Sequence, residues 1–149
     1  MHLLRSTDIA LRVVMLLASG DGRLTVDQLS AALGVPRNHL AKVVQRLQRN
    51  GFVATTRGRD GGVGLPDGAA ATSVGAVVRA LEGDGEVVDC EGPPCPLRGG
   101  CHLRGALRTA QLAFLAALDA VTVGELLAEP AGPVLLDLVP GPRRPGGTP

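Results

Sequence analysis

Aromatic side chains are almost missing from this chain of 149 residues: Phe52 and Phe114 are present, with no Trp and no Tyr. A core without them has to be built from Leu, Val and Ala, which favours helices over a β-sandwich. Single-stranded nucleic-acid platforms need stacked rings, so that class is disfavoured. Long hydrophobic runs are missing too. No segment reaches the roughly 18 apolar residues needed to cross a bilayer. Met1 to Asp8 lacks the basic patch and apolar run of a secretory leader, so a cytoplasmic location is expected. There is no paired acid and base, no nucleophile with a partner, and no glycine loop with the Lys-Ser/Thr ending of a phosphate site. An enzyme is not expected. Cysteine is scarce, with three residues confined to positions 90 to 101. Cytoplasmic thiols are normally kept reduced, so this spacing points to metal or redox chemistry rather than to staples.

What is present is about one domain's worth of ordinary globular composition, 45% apolar and 19% charged. The net charge of +1 hides a division along the chain. Arg37, Lys42, Arg46, Arg49, Arg57 and Arg59 make a basic stretch with no acid among them. Glu82, Asp84, Glu86, Asp89 and Glu91 make an acidic stretch with no base. A local basic stretch is either a solvated face or, joined to the right fold, a set of phosphate contacts.

Hydrophobic spacing predicts a helix from Thr7 to Ala18, ended by Gly20-Asp21-Gly22. Thr25 and Gln28 form a capping box for a second helix with Val26, Leu29 and Leu33 inside, and Gly34 turns the chain. A third helix starts at Pro36 and closes at Asn50-Gly51, with Leu40, Val43 and Leu47 inward. Two short helices about a glycine turn make a helix-turn-helix. The β-prone stretch Phe52 to Thr56, the glycine-rich Arg57 to Gly62 and the strand Val63 to Leu65 read as a hairpin wing. Ser73 caps a further helix through Leu81. Gly83 to Cys101 is a Gly- and Pro-rich loop that carries the cysteines. Leu103, Leu107, Ala110, Phe114 and Leu118 form a stripe on a long helix, for which a second subunit is a reasonable cover. The expected fold is mainly α with a small β-hairpin wing: a winged helix-turn-helix plus a long dimerisation helix. Its parts are a DNA-binding domain over 1–70, a connecting helix and cysteine loop over 71–101, the dimerisation helix and a short final helix over 102–128, and a disordered tail over 129–149.

Two constellations carry chemistry. The outer face of the third helix presents Arg37, Asn38, His39, Lys42, Gln45, Arg46 and Arg49. The major groove of DNA admits a helix and distinguishes all base pairs; Asn38 and Gln45 suit adenine, and Arg37 or Lys42 suits guanine. Arg57 and Arg59 of the wing suit phosphate or the minor groove. The bland alternative is a helical hairpin with a solvated basic face. The second constellation is Cys90, Cys95 and Cys101, a C-x₄-C-x₅-C spacing. Thiolates suit an iron–sulfur cluster or zinc, and a structural zinc site more often shows C-x₂-C pairs and four N/S ligands. A fourth ligand has to come from another residue type. Asp8, at the start of the first helix, reads on its own as a cap for free N–H groups.

Four pieces in order resemble the IscR/NsrR family of winged-helix iron–sulfur regulators: Ser6-Thr7-Asp8-Ile-Ala-Leu-Arg12, Gly34-Val-Pro36 through Leu40-Ala-Lys42, the Arg57-Gly-Arg-Asp-Gly-Gly wing, and the spaced cysteines. The approach Leu81 to Cys90 is more similar to the nitric-oxide-sensing repressors of that family. That resemblance implies a homodimeric repressor of double-stranded operator DNA whose cluster is bound by Cys90, Cys95 and Cys101. It implies Asp8 of the other subunit as fourth ligand, and Arg12 and Glu82 as an interface ion network beside it. It implies [4Fe-4S], with [2Fe-2S] as alternative, and nitrosylation of the cluster as the event that relieves repression. A hard carboxylate on a soft centre should make that iron the most exchangeable. The IscR branch, which senses cluster status, instead uses a histidine three residues after the last cysteine, where this chain has Arg104; His102 is out of register. Asp60 stands where the family usually has a wing glycine. The alternatives are an IscR-like regulator and a zinc-bound interaction module.

Overall fold

The computed structural model describes residues 2–58, 61–83, 85–90, 92, 95–97 and 99–139. Among these, six α-helices and one two-stranded antiparallel hairpin follow in order: α1 (Arg5–Ala18), α2 (Val26–Leu33), α3 (Arg37–Arg49), β1 (Ala54–Thr56), β2 (Gly62–Gly64), α4 (Val74–Glu82), α5 (His102–Asp119) and α6 (Ala131–Leu138). None of the described helices is long and apolar enough to cross a membrane. The mainly helical winged architecture read from the sequence is the one observed.

Helix α1 is the centre of the core, with Ala10, Val13 and Leu16 fully enclosed. Leu29 of α2, Leu40 and Leu47 of α3, and Val77 of α4 close around it at 0% exposure. The helix begins two residues before the expected start at Thr7. Its N-cap, Leu4, has no side chain able to cap, and its backbone N–H instead donates to Glu82 Oε1 at 2.9 Å. Asp8 is therefore already inside the helix, its N–H bonded to Leu4 O at 3.1 Å. Its carboxylate pairs with Arg12 one turn on, at 3.0 Å, and caps nothing.

The helix-turn-helix forms as its local signals require. Thr25 and Gln28 complete the capping box, and Gly34 turns with φ 62°, a left-handed conformation that a side chain would strain. Ser30 Oγ donates to Val35 O at 2.7 Å and braces that turn. Pro36 is the N-cap of α3, one place before the helix proper. In the wing, Ala54, Thr55 and Thr56 pair with Gly64, Val63 and Gly62. Leu24, just before α2, adds a bridge to Val63, which seats the hairpin on the core. A Cβ at Gly61 would strike the Thr56 carbonyl, so the place just before the return strand has room for glycine alone.

The chain beyond 128 differs from expectation. The short helix expected over Val123 to Ala128 is a single 3₁₀ turn at Glu125–Leu127. Residues 131–138, expected to be part of a disordered tail, form α6. Pro and Gly counts mislead there, because Pro133 lies in the first turn, where its missing N–H costs nothing. Leu135 and Val139, one turn apart, pack on the core. The rest of the expected tail, 140–149, lies outside the described residues.

Helix α5 lies along α4. Arg79 donates through both terminal nitrogens to the Asp119 carboxylate and so fixes the far end of α5. These hydrogen bonds, then the Arg79 charge, hold Asp119 below the ordinary aspartate range. A Cβ on Gly75 would meet that carboxylate and lie 2.8 Å from the Asp119 backbone N. Gly75→Ala should therefore lower Tm by about 3 °C or more at neutral pH, overpacking outweighing the gain in helix propensity. A depressed carboxylate stabilises above its unfolded pKa and loses that contribution as pH falls through its folded value. Calorimetry at neutral and strongly acid pH should thus show the gap between wild type and variant narrowing in acid.

Candidate functional site

The outer face of α3 is sorted by burial. Arg37, Asn38, Lys42, Gln45 and Arg49 are exposed, while His39 and Arg46 are half-buried. Asn38, Lys42 and Gln45 follow at helical spacing, so one face carries two amides and a cation. Arg37 Nε donates to Asp27 Oδ1 of α2 at 2.6 Å, an exposed pair of the kind worth little in water and easily exchanged for a phosphate. Arg46 points elsewhere: its guanidinium donates to the Leu81 carbonyl at the end of α4 and, at 3.4 Å, to Ser6 Oγ of α1.

Arg57 is exposed beside the wing tip, and Arg59 and Asp60 lie outside the described residues. Arg23 adds a cation to the wing that sequence reading missed. Its Nη1 donates to Thr56 Oγ1, and its stem crosses the glycines of β2, with Cγ 3.0 Å from a Cβ built on Gly64. The signal was in the strand: Gly62-Val-Gly64 leaves a flat track on one face, which only a side chain from elsewhere can use.

The cysteine segment is tied down at both ends by α5. Arg104 donates to Glu86 through two nitrogens, at 2.7 and 3.0 Å, and Gln111 Nε2 donates to Gly85 O at 2.8 Å. The hydrogen bonds from Arg104, reinforced by the charges of Arg104 and Arg108, hold Glu86 below the ordinary glutamate range. Asp89 Oδ1 accepts from Gly92 N at 2.8 Å and folds the chain just around Cys90. The acidic stretch is thus used internally: Glu82 on α1, Glu86 on α5, Asp89 on its own loop.

Cys90, Cys95 and Cys101 are free thiols, each half-buried, and Cys101 is the N-cap residue of α5. A cleft of about 380 Å³ is lined by Cys90, Asp89, Val88, Gly85, Glu86 and Arg104. Only Cys90 of the three lines it, and three soft donors in one short segment fit an iron–sulfur centre in donor chemistry. Among the described residues no three His, Cys, Asp or Glu side chains gather to hold a metal ion, so the three cysteines are not drawn together in this structure. Asp8, the expected fourth donor, is half-exposed on α1 with Arg12. Glu82 and Arg12, expected together in an interface network, here serve separate partners within one chain.

Residues 3–129 match the Rrf2 family, described as iron-dependent transcriptional regulators. The chain belongs to the Rrf2 family. The HTH-type transcriptional repressor NsrR of Streptomyces coelicolor is 53% identical over 146 residues, covering 95% of this chain and 99% of that protein. Among solved structures, T. potens IscR superposes with a TM-score of 0.69 at 19% identity, covering 85% of this chain and 86% of that one. CymR of B. subtilis, a cysteine regulator, superposes with a TM-score of 0.66 at 23% identity, covering 85% and 95%. At such identities these two show the fold alone. These relatives are transcriptional regulators and not enzymes. Within this Rrf2 chain, Arg104 stands where the IscR branch is expected to have a histidine ligand. A guanidinium has no acceptor lone pair and stays protonated, so Arg104 cannot take that role.

The exposed face of α3 makes a graded prediction. Lys42→Ala should weaken binding; if Lys42 touches only phosphate, the loss falls on all duplexes alike and the salt slope drops by about one. Gln45→Ala should leave the slope unchanged and relax preference at one base pair, by about 1–3 kcal/mol. Fluorescence anisotropy across a KCl series, with a duplex selected from a random pool and with a scrambled one, checks both.

Proposed function

We propose that this chain is a cytoplasmic, homodimeric repressor that binds operator DNA through α3 and the wing and loses affinity in response to nitric oxide. An iron–sulfur cluster held by Cys90, Cys95 and Cys101, and by Asp8 of a second copy of the chain, supplies the reactivity toward nitric oxide. The observation that carries this is the pairing of three half-buried free thiols with a set of ties from α5 that fixes the segment around Cys90. Arg104 and Gln111 hold residues 85 and 86, and Cys101 is placed at the start of the same helix. The positive N-terminal end of α5 favours a negatively charged ligand set. Four ligands serve either nuclearity; we take [4Fe-4S] as the resident cluster, with [2Fe-2S] as the alternative.

Dimerisation is supported by α5. The stripe read from the sequence divides: Leu107, Phe114 and Leu118 are half-buried, while Leu103 and Ala110 are exposed. On the exposed side Leu103, Ala106, Ala110, Ala113 and Ala117 recur every three or four residues. Small residues at that spacing let two helix axes come close, as in a coiled-coil seam. A second copy laid along this stripe would cover it, and the two recognition helices would then be held at a spacing that matches half-sites on one face of DNA. Asp8 reaching across gives the sensor a hold on that spacing. Its ion pair with Arg12 is the alternative it falls back on when it is not a ligand.

Cys90→Ala, Cys95→Ala and Cys101→Ala should each yield colourless protein after anaerobic purification, with iron and sulfide lost; a fully coloured variant removes that ligand. Asp8→Ala should keep part of the cluster and change its reaction with nitric oxide in stopped-flow absorbance, and an unchanged reaction removes Asp8. For the seam, Ala113→Arg should give a monomer by sedimentation with its helix content intact.

A further inference from the structure

We propose that Arg46 is a positioning residue that ties the recognition helix to the sensor end of the molecule, and that it does not read DNA. It sits on α3 among exposed neighbours, Gln45 and Arg49, yet is itself half-buried. Its two terminal nitrogens go to different helices: one to Leu81 O in the last turn of α4, the other to Ser6 Oγ in the first turn of α1. A cation at a helix C-terminus meets carbonyls that have no partner in their own helix and the negative end of the dipole. Leaving that place for a phosphate would strip Leu81 O of a charge-assisted bond.

The two points that Arg46 touches flank the first turn of α1, the turn that carries Asp8. Leu81 is followed by Glu82, whose carboxylate accepts the Leu4 N–H. Ser6 lies two residues before Asp8. The first turn of α1 has no side-chain cap of its own. It also buries the Thr7 hydroxyl, which has no hydrogen-bond partner among the described residues. An orphaned buried hydroxyl is unfavourable, and the side-chain contacts to this turn from outside α1 include Glu82 at Leu4 N and Arg46 at Ser6. A pull on Asp8 therefore moves a turn to which the recognition helix is attached through one guanidinium. Lysine offers a single point charge and cannot span both acceptors with a planar fork. This role rests on the cluster-sensing function proposed above.

The test compares affinity for one duplex, selected from a random pool by the anaerobically purified wild type, between cluster-loaded and cluster-free reduced protein. Couplings between sites are typically about 5- to 150-fold. In Arg46→Ala the wild-type ratio should fall at least fivefold toward one, while the salt slope of the cluster-free form stays that of wild type. Arg46→Lys should leave the ratio collapsed. A slope lowered by about one with the ratio kept would make Arg46 a phosphate contact and overturn the proposal. So would equal weakening of both forms with a lowered Tm, or full rescue by lysine. A wild-type ratio of one overturns the cluster-sensing function and this coupling together; a large wild-type ratio that survives in Arg46→Ala overturns the coupling alone.

Discussion

The apolar face of helix α1 has to be covered, and the molecule is organised by how that is done. Ala10, Val13 and Leu16 have no contact with solvent, and α2, α3, α4 and α6 all dock on or beside this one helix. Its N-terminal end nevertheless reaches the surface, where Leu4 and Arg5 are exposed, and its first turn has no side-chain cap of its own. Glu82, at the far end of α4, accepts the Leu4 N–H. That single bond joins the start of the chain to the segment that leads into the cysteines.

Sequence signals were legible where the governing interaction is local. The Thr25–Gln28 box, Gly34, Pro36 and the glycine wing each act within a few residues, and the helix-turn-helix and hairpin appear where they were expected. The three cysteines stand out in the sequence as a candidate site because soft donors are rare in this chain. The start of α1 was not, because its cap comes from 78 residues away. Asp8 accordingly read as a cap, and the structure gives it to Arg12. The same limit hid Arg23, whose partner Thr56 is 33 residues on, and placed Arg46 on the reading face when its acceptors lie 35 and 40 residues away. Helix α6 was missed for a different reason: Pro133 is neutral in a first turn, and composition does not record position.

The acidic stretch shows how charge density and function separate. Glu82, Glu86 and Asp89 look like a solvated, repelling run, and each is instead committed to a backbone N–H or a guanidinium. Their work is architectural, fixing the approach to Cys90 on one side to α1 and on the other to α5. The basic stretch shows the converse. Its described cations divide between exposed positions and internal ties, and the sequence does not tell them apart.

That division bears on how the protein searches a chromosome. Of the cations on α3, Arg46 is turned inward and Arg37 already has a carboxylate beside it, so the head carries less free positive charge than its composition implies. Grip on arbitrary sequence comes almost wholly from neutralised phosphates, whereas discrimination comes from amides and guanidinium groups at base edges. In the two-copy arrangement proposed above, a head built this way would dwell briefly on the wrong sites and rely on its mate at the right one.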